Sequence, residues 1–236
     1  MRALPLIVLL LCAPAISAVP DTMAQRLAAC TSCHGSTPAG DAGTNAGTGE
    51  RRYYPRIAGK PAGYLYNQLL NFREGRRQYP LMTWMVGHLS DDYLREIAAY
   101  FSSQHLPAPV LSRAGLPAAE LERGRQLVTR GDPALRIPAC IACHGERLTG
   151  ALPAIPGLVG LPRDYINAQF GAWRNGSRRA HAPDCMAAIA SRLSLSDVAA
   201  VSGWLASEPL PEDAAPAAAP ARPLPLACGS APEVRP

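Results

Sequence analysis

Cysteine and histidine come together twice in this chain, as Cys30-Thr31-Ser32-Cys33-His34 and as Cys140-Ile141-Ala142-Cys143-His144. Both read C-x-x-C-H, the spacing that attaches a c-type haem. Two cysteines three apart on a helical turn can each form a thioether with a haem vinyl group. The histidine that follows is then held beneath the ring, where an imidazole nitrogen can bind iron. A glycine closes each motif, Gly35 and Gly145. A zinc ribbon would space its C-x-x-C pairs roughly 15–20 residues apart, and these lie far further apart. A thioredoxin-type redox pair needs a βαβ context, and no alternating β-branched run flanks either motif. The chemistry indicated is two covalently bound haem c groups, with Cys30, Cys33, Cys140 and Cys143 as attachment points and His34 and His144 as iron ligands.

The elements that must position these groups are also written twice. Pro55-Arg56-Ile57-Ala58-Gly59 is answered by Pro153-Ala154-Ile155-Pro156-Gly157. Tyr64-Leu65, Gln68-Leu69, Phe72-Arg73 and Gly75 are answered by Tyr165-Ile166, Gln169-Phe170, Trp173-Arg174 and Gly176. Met82 with Leu89-Ser90 then matches Met186 with Leu193-Ser194, and Ile97, Tyr100 and Phe101 match Val201, Trp204 and Leu205. Such internal repetition marks a tandem duplication. Within each copy the signals are helical. Thr22–Ala29 and Ala118–Thr129 lead into the two motifs. Pro61 and Pro162 sit where helices begin. Ser90 with Asp91 and Asp92, and Ser194 or Ser196 with Asp197, read as capped starts of the last helices. No segment alternates like a strand, so the fold class is all-α with long loops. The span Ser36–Arg52, rich in Gly, Thr and Ala, reads as a surface insertion.

Met1-Arg2, the apolar run Leu4–Leu11 and the small residues closing at Ala18 form a secretory signal peptide over 1–18, and its apolar run is too short to span a bilayer. A first domain over 19–105, a linker over 106–116, a second domain over 117–208 and a Pro/Ala-rich tail over 209–236, expected to be extended or disordered, complete the organisation. Export implies the periplasm, with at most peripheral membrane association. The net charge of +5 is almost entirely arginine, Lys60 being the lone lysine, and no basic run interleaved with aromatics points to nucleic acid. Cys185 and Cys228 remain after the haem cysteines, an even remainder in an oxidising compartment. A disulfide between them is open at this point.

The sixth iron ligand separates electron transfer from catalysis. Met82 and Met186 stand in register, each before the last helix of its copy. Met85 competes in the first copy, but its counterpart is Ile189, which points to packing. Near Met186 lie His181 and Cys185; a Cys185 thiolate on iron would suit sulfur chemistry. His181 and His88 are expected in exposed loops. Tyr64, Phe72, Tyr165 and Trp173 would pack on the haems or simply between helices, and Arg73 and Arg174 would meet haem propionates or the domain interface.

The ordered set of two C-x-x-C-H-G motifs, the Pro55 block, Tyr64-Leu65, Gln68-Leu69, Phe72-Arg73, Gly75, Met82 and Leu89-Ser90 through Ala98-Ala99-Tyr100-Phe101 resembles the dihaem cytochrome c4 family, as does Ile137-Pro138-Ala139-Cys140. The resemblance covers residues 22–208. It implies two class I cytochrome c domains facing each other, His/Met ligation at each iron (His34 with Met82, His144 with Met186), and periplasmic shuttling of single electrons. The implied donor is a bc1-type complex or a dehydrogenase, and the implied acceptor a terminal oxidase. On that reading the chain is a carrier and not an enzyme. The alternative is a haem subunit of a dehydrogenase system, or a thiosulfate dehydrogenase-like catalyst with Cys185 as ligand.

Overall fold

The computed structural model describes residues 22–35, 54–105 and 115–231. The expected signal peptide, the Ser36–Arg52 insertion and most of the linker lie outside the described residues.

The first half is built from α1 (Met23–Arg26), α2 (Ala28–His34), α3 (Ala62–Arg73), α4 (Pro80–Val86) and α5 (Asp91–Ser102). The segment expected as one helix from Thr22 to Ala29 breaks at Leu27, and the second piece continues through the haem motif to His34. Thr22 starts α1 with a reciprocal cap, its side chain and that of Gln25 each bonding the other's backbone N–H. Leu27 is 1% exposed: the chain bends there to bury that side chain. Pro80 opens α4 at a position that lacks an intrahelical N–H partner anyway. Ser90 caps α5 through Tyr93 N, with Asp91 and Asp92 in its first turn. The stripe Leu94, Ile97, Ala98 and Phe101 faces inward as the spacing predicts.

The second half follows the same plan with α6 (Ala118–Thr129), α7 (Ile141–His144), α8 (Arg163–Arg174), α9 (Cys185–Arg192) and α10 (Leu195–Ser207). Ser194, not Ser196, is the α10 cap, closing a capping box with Asp197. Helices α6 and α10 cross at Gly124, where an added Cβ would fall 2.2 Å from the Ala200 carbonyl oxygen. Only glycine permits that approach. A two-residue hairpin, β1 (Gly150–Ala151) against β2 (Ile155–Pro156), is the small exception to the all-α expectation. Leu27, Leu65, Phe72, Leu94 and Phe101 anchor one core, and Leu127, Val128, Phe170, Val201 and Leu205 anchor a separate one. Two cores in sequence are the physical content of the duplication.

The described part of the tail, 209–231, is extended and held in place. Ala217 donates to Gly150 O at 2.9 Å and accepts from Leu152 N at 2.8 Å, adding a bridge beside the hairpin. Arg147 pairs with Asp213 at 3.1 Å, and Cys185 is disulfide-bonded to Cys228. No single helix among the described residues is long and apolar enough to cross a membrane.

Candidate haem centres

Each C-x-x-C-H motif lies on a helical turn, with its histidine at the helix end and its glycine in a left-handed conformation that side chains disfavour (Gly35 φ 81°, Gly145 φ 83°). His34 Nδ1 donates to Pro55 O at 2.9 Å, and His144 Nδ1 donates to Pro156 O at 2.8 Å. A carbonyl only accepts, so the proton sits on Nδ1 and Nε2 is left free for iron, the usual way a ligating imidazole is oriented. Burial holds both imidazoles below their ordinary pKa, against the opposing carbonyl bond; Lys60 adds its charge at His144, and Arg77 at His34. Burial also pushes the Cys140 thiol up to about 12.

These two bonds correct the register of the repeat. Pro55 answers to Pro156, not to Pro153, and Gly59 (φ 73°) answers to Gly160 (φ 74°). With that shift the whole block runs at one constant spacing into Tyr64/Tyr165 and Arg77/Arg178. The resemblance between Pro55-Arg56-Ile57 and Pro153-Ala154-Ile155 is local coincidence.

In the second half, Cys140, Cys143, His144 and Met186 line one internal cavity with Leu127, Ile166, Phe170 and Val201. The expected attachment points, the proximal histidine and the nominated methionine therefore converge on a space that is otherwise mostly apolar. In the first half, Met82 and Met85 are both partly buried against the core that also holds Cys30. Ile189, the counterpart of Met85, is buried at 9% exposure in the second core, consistent with packing at that position. Cys185 is not free: its sulfur is bonded to Cys228, and tail residues Leu224, Leu226 and Cys228 line the same cavity.

The expected interface role of Arg73 and Arg174 is overturned. Arg73 donates to Leu89 O at 2.9 Å and Asp91 at 2.5 Å, and Arg174 donates to Leu193 O at 2.5 Å. Each therefore ties the end of one helix to the start of the last one. The seam between the halves belongs instead to Arg77 and Arg178, four residues further on in each copy. Arg77 donates to Gln68 of its own half (2.9 Å) and to Gln169 (2.7 Å) and Tyr165 (3.2 Å) of the other. Arg178 mirrors it, to Gln169 (2.7 Å), Gln68 (3.2 Å) and Tyr64 (3.5 Å). Phe72 and Trp173 lie under these guanidinium groups, 4.6 and 3.9 Å from ring centre to Arg77 and Arg178. Backbone bonds Gln78 N to Ser177 O and Arg179 N to Arg76 O, both 2.7 Å, close the seam, and Gly63 N donates to Pro153 O at 3.1 Å. His181 belongs here too, its Nε2 3.1 Å from Arg76, and is not an exposed loop residue; His88 is exposed as expected.

Lys60 crosses the same seam. Its Nζ donates to Gly157 O at 3.1 Å, beside the residue that holds His144, and it lines the second cavity. Burial pulls its pKa down to about 8, with Tyr165 opposing and Arg56 adding to the fall. Among the described residues no ion pair to a carboxylate is made by Lys60, Arg77 or Arg178, and Trp173 Nε1 is a buried donor without a partner. A buried surplus of cations and donors fits a group that brings its own carboxylates, as haem does. Sequence reasoning missed Arg77, Arg178 and Lys60 as site residues, although the first two recur in register and the third is the lone lysine.

Two haem-binding helical domains in tandem, each with a C-x-x-C-H turn and a carbonyl-oriented histidine, define a dihaem c-type cytochrome. No family model matches the chain. It is 38% identical over 186 residues to the thiosulfate dehydrogenase electron acceptor of Thiomonas intermedia (strain K12), covering 78% of this chain and 80% of that protein. Against cytochrome c4 of Pseudomonas aeruginosa it is 31% identical over 183 residues, covering 76% and 84%. The crystal structure of reduced recombinant cytochrome c4 from Pseudomonas stutzeri matches with a TM-score of 0.60 at 30% identity, covering 77% of this chain and 94% of that one. The chain belongs to the dihaem cytochrome c4 family, carries two covalently bound haem c groups and is an electron-transfer cytochrome.

Proposed function

We propose that this chain is a periplasmic carrier that accepts single electrons from a thiosulfate-oxidising dehydrogenase and passes them on towards a terminal oxidase. The observation that carries the choice of carrier over catalyst is the Cys185–Cys228 disulfide. A catalytic reading needs Cys185 as a thiolate on the second iron, and a cysteine bonded to another sulfur has no thiolate to offer. The donor is suggested by the relative named as a thiosulfate dehydrogenase electron acceptor, which matches at higher identity than the Pseudomonas aeruginosa cytochrome c4.

The bound haem supplies a one-electron iron couple. The chain's residues hold that couple with little to rearrange. Pro55 O and Pro156 O keep the two imidazoles in one tautomer and one orientation. Met82 and Met186 would hold the iron of each half together with His34 and His144, and a thioether there would favour reduced iron. Apolar walls such as Phe170, Leu205 and Leu226 keep water from the second centre, and the Arg77/Arg178 seam fixes one half against the other.

The test is anaerobic mixing of the oxidised holoprotein with thiosulfate, followed at the haem bands. The proposal expects no reduction by thiosulfate alone, and rapid reduction of both haems when a thiosulfate dehydrogenase is added. Turnover of thiosulfate by the isolated chain would overturn it.

A further inference from the structure

Between α6 and the second haem motif the chain runs through a loop, Arg130 to Ala139, exposed at Arg130 and over 133–136, whereas in the first half α1 passes to α2 through Leu27 alone. This loop, Arg192 of α9 and Pro225-Leu226 of the tail together enclose a surface pocket ringed by Arg130, Arg136 and Arg192. Its apolar floor is Ile137, Pro138 and Leu226, and the same three residues line the second haem cavity from the inside. The wall between solvent and cavity is therefore one residue thick here. Arg130 and Arg136 are exposed, and no ion pair with a carboxylate is formed by any of the three among the described residues. Arg192 spends one N–H on Arg136 O, at 2.6 Å, which fixes the ring's geometry. Leu135, 40% exposed, stands on the same loop.

We propose that this arginine-ringed pocket is the face through which the second haem exchanges electrons, and that it receives a redox protein presenting a cluster of carboxylates. Three neighbouring cations, none in a close ion pair among the described residues although Glu122 feels the charge of Arg130, leave a net positive rim that attracts an acidic surface. A charged rim around an apolar centre is also how transient interfaces are built. Such a field raises association rates by roughly 10- to 1000-fold at low salt and fades as salt screens it. The tail is part of the device: Pro225 and Leu226 complete the pocket, and the Cys185–Cys228 bond holds them there. The inference rests on electron transfer through the second haem and is independent of which donor the carrier serves.

The experiment compares R130E/R136E with R26E/R95E, a pair of equal charge change on exposed arginines of the first half; Arg192 is spared because it braces the loop. Fully reduced, two-haem protein is oxidised by hexacyanoferrate(III) at low ionic strength, with and without poly-L-glutamate as a protein-like competitor. The expected result is about a tenfold slower second-order rate for R130E/R136E and less than a twofold change for R26E/R95E. The two should converge in high salt. Poly-L-glutamate should slow the wild type and leave R130E/R136E unaffected. R130Q/R136Q, which removes charge without reversing it, should fall between and guards against a folding defect. Equal slowing by the two charge-reversal pairs, or a poly-L-glutamate effect that is absent or identical in wild type and variant, overturns the proposal.

Discussion

Among the described residues, the two halves of this molecule share one plan and differ in what closes them. In the first, Tyr79 just before α4 and Leu81 and Trp84 on it face outward, Trp84 at 74% exposure. In the second, the corresponding helix α9 carries Cys185 where α4 has Leu81, and that cysteine staples the tail across the haem cavity. The second half also runs a full-length α6 against α10, and Arg123 bridges Asp132 (3.0 Å) and Asp197 (2.8 Å). The first half replaces α6 with the four-residue α1 and its continuation α2. Among the described residues, a covalently anchored tail closes over the second haem cavity alone. Axial ligands, hydrogen bonding and burial set a haem's potential, so substitutions in each half test whether this difference in surroundings separates the two irons.

The largest expected effect tests whether both sockets use methionine. Replacing Met186 with alanine should remove the methionine signature in the magnetic circular dichroism of one haem. It should also weaken reduction of that haem by about a hundredfold, roughly 120 mV. Met82→Ala should do the same to the other haem, and Met85→Leu to neither. A changed spectrum in Met85→Leu would reassign the first ligand.

Next comes the staple. The bond closes a separation of 43 residues, for which loop-closure entropy is worth about 4 kcal/mol. C185A/C228A should lower the stability of the second half by about 2–4 kcal/mol in denaturant, leave the first half unchanged, and keep methionine on the second iron. Loss of that ligand in the double variant would mean that the disulfide, and not the packing of α9 alone, holds Met186 in place.

Lys60 sharpens the comparison electrostatically. It leaves the first half to place a positive charge beside the second haem, and in the corrected register its counterpart is Leu161. A nearby cation favours the reduced, less positive iron; at an effective dielectric constant near 20 this is worth about tenfold. Lys60→Leu should lower one of the two potentials by about 60 mV, with Lys60→Arg near wild type. Equal shifts of both potentials would sink the idea.

The smallest effect concerns Asp197. Burial works against its charge, yet hydrogen bonds from Arg123 and Ser194 hold the carboxyl below its ordinary pKa. A depressed folded-state value adds stability above the unfolded pKa near 4, and that stability is lost as pH falls through the folded value. Asp197→Asn should therefore cost about 1–2 kcal/mol at neutral pH, with the gap to wild type closing below about pH 4. A gap unchanged at pH 3 would show that shape, not charge, explains the cap.

Much of this was legible in the sequence because it is local. C-x-x-C-H fixes the haem turn, Ser90 and Ser194 fix helix starts, and the Met-to-Leu-Ser spacing aligns the two copies. The seam was not legible, because Arg77 meets Tyr165 and Gln169 only after both halves are folded and docked. Arg73 looked the better candidate because it sits inside the conspicuous Phe72-Arg73 pair, yet its bonds turn inward to Leu89 O and Asp91. The Pro153 block misled for a related reason: in similarity alone it resembles Pro55-Arg56-Ile57, whereas the histidine bond selects Pro156. The tail reads as low-complexity sequence, and its order comes from a single covalent anchor and a few backbone bonds.

The central claim, a carrier with two histidine–methionine haems, is tested most directly by a redox titration of the intact protein followed by near-infrared magnetic circular dichroism. Two one-electron waves, both bearing a methionine signature in the ferric state, are the predicted result. A thiolate signature on the second haem, or an open sixth position there, would contradict the account.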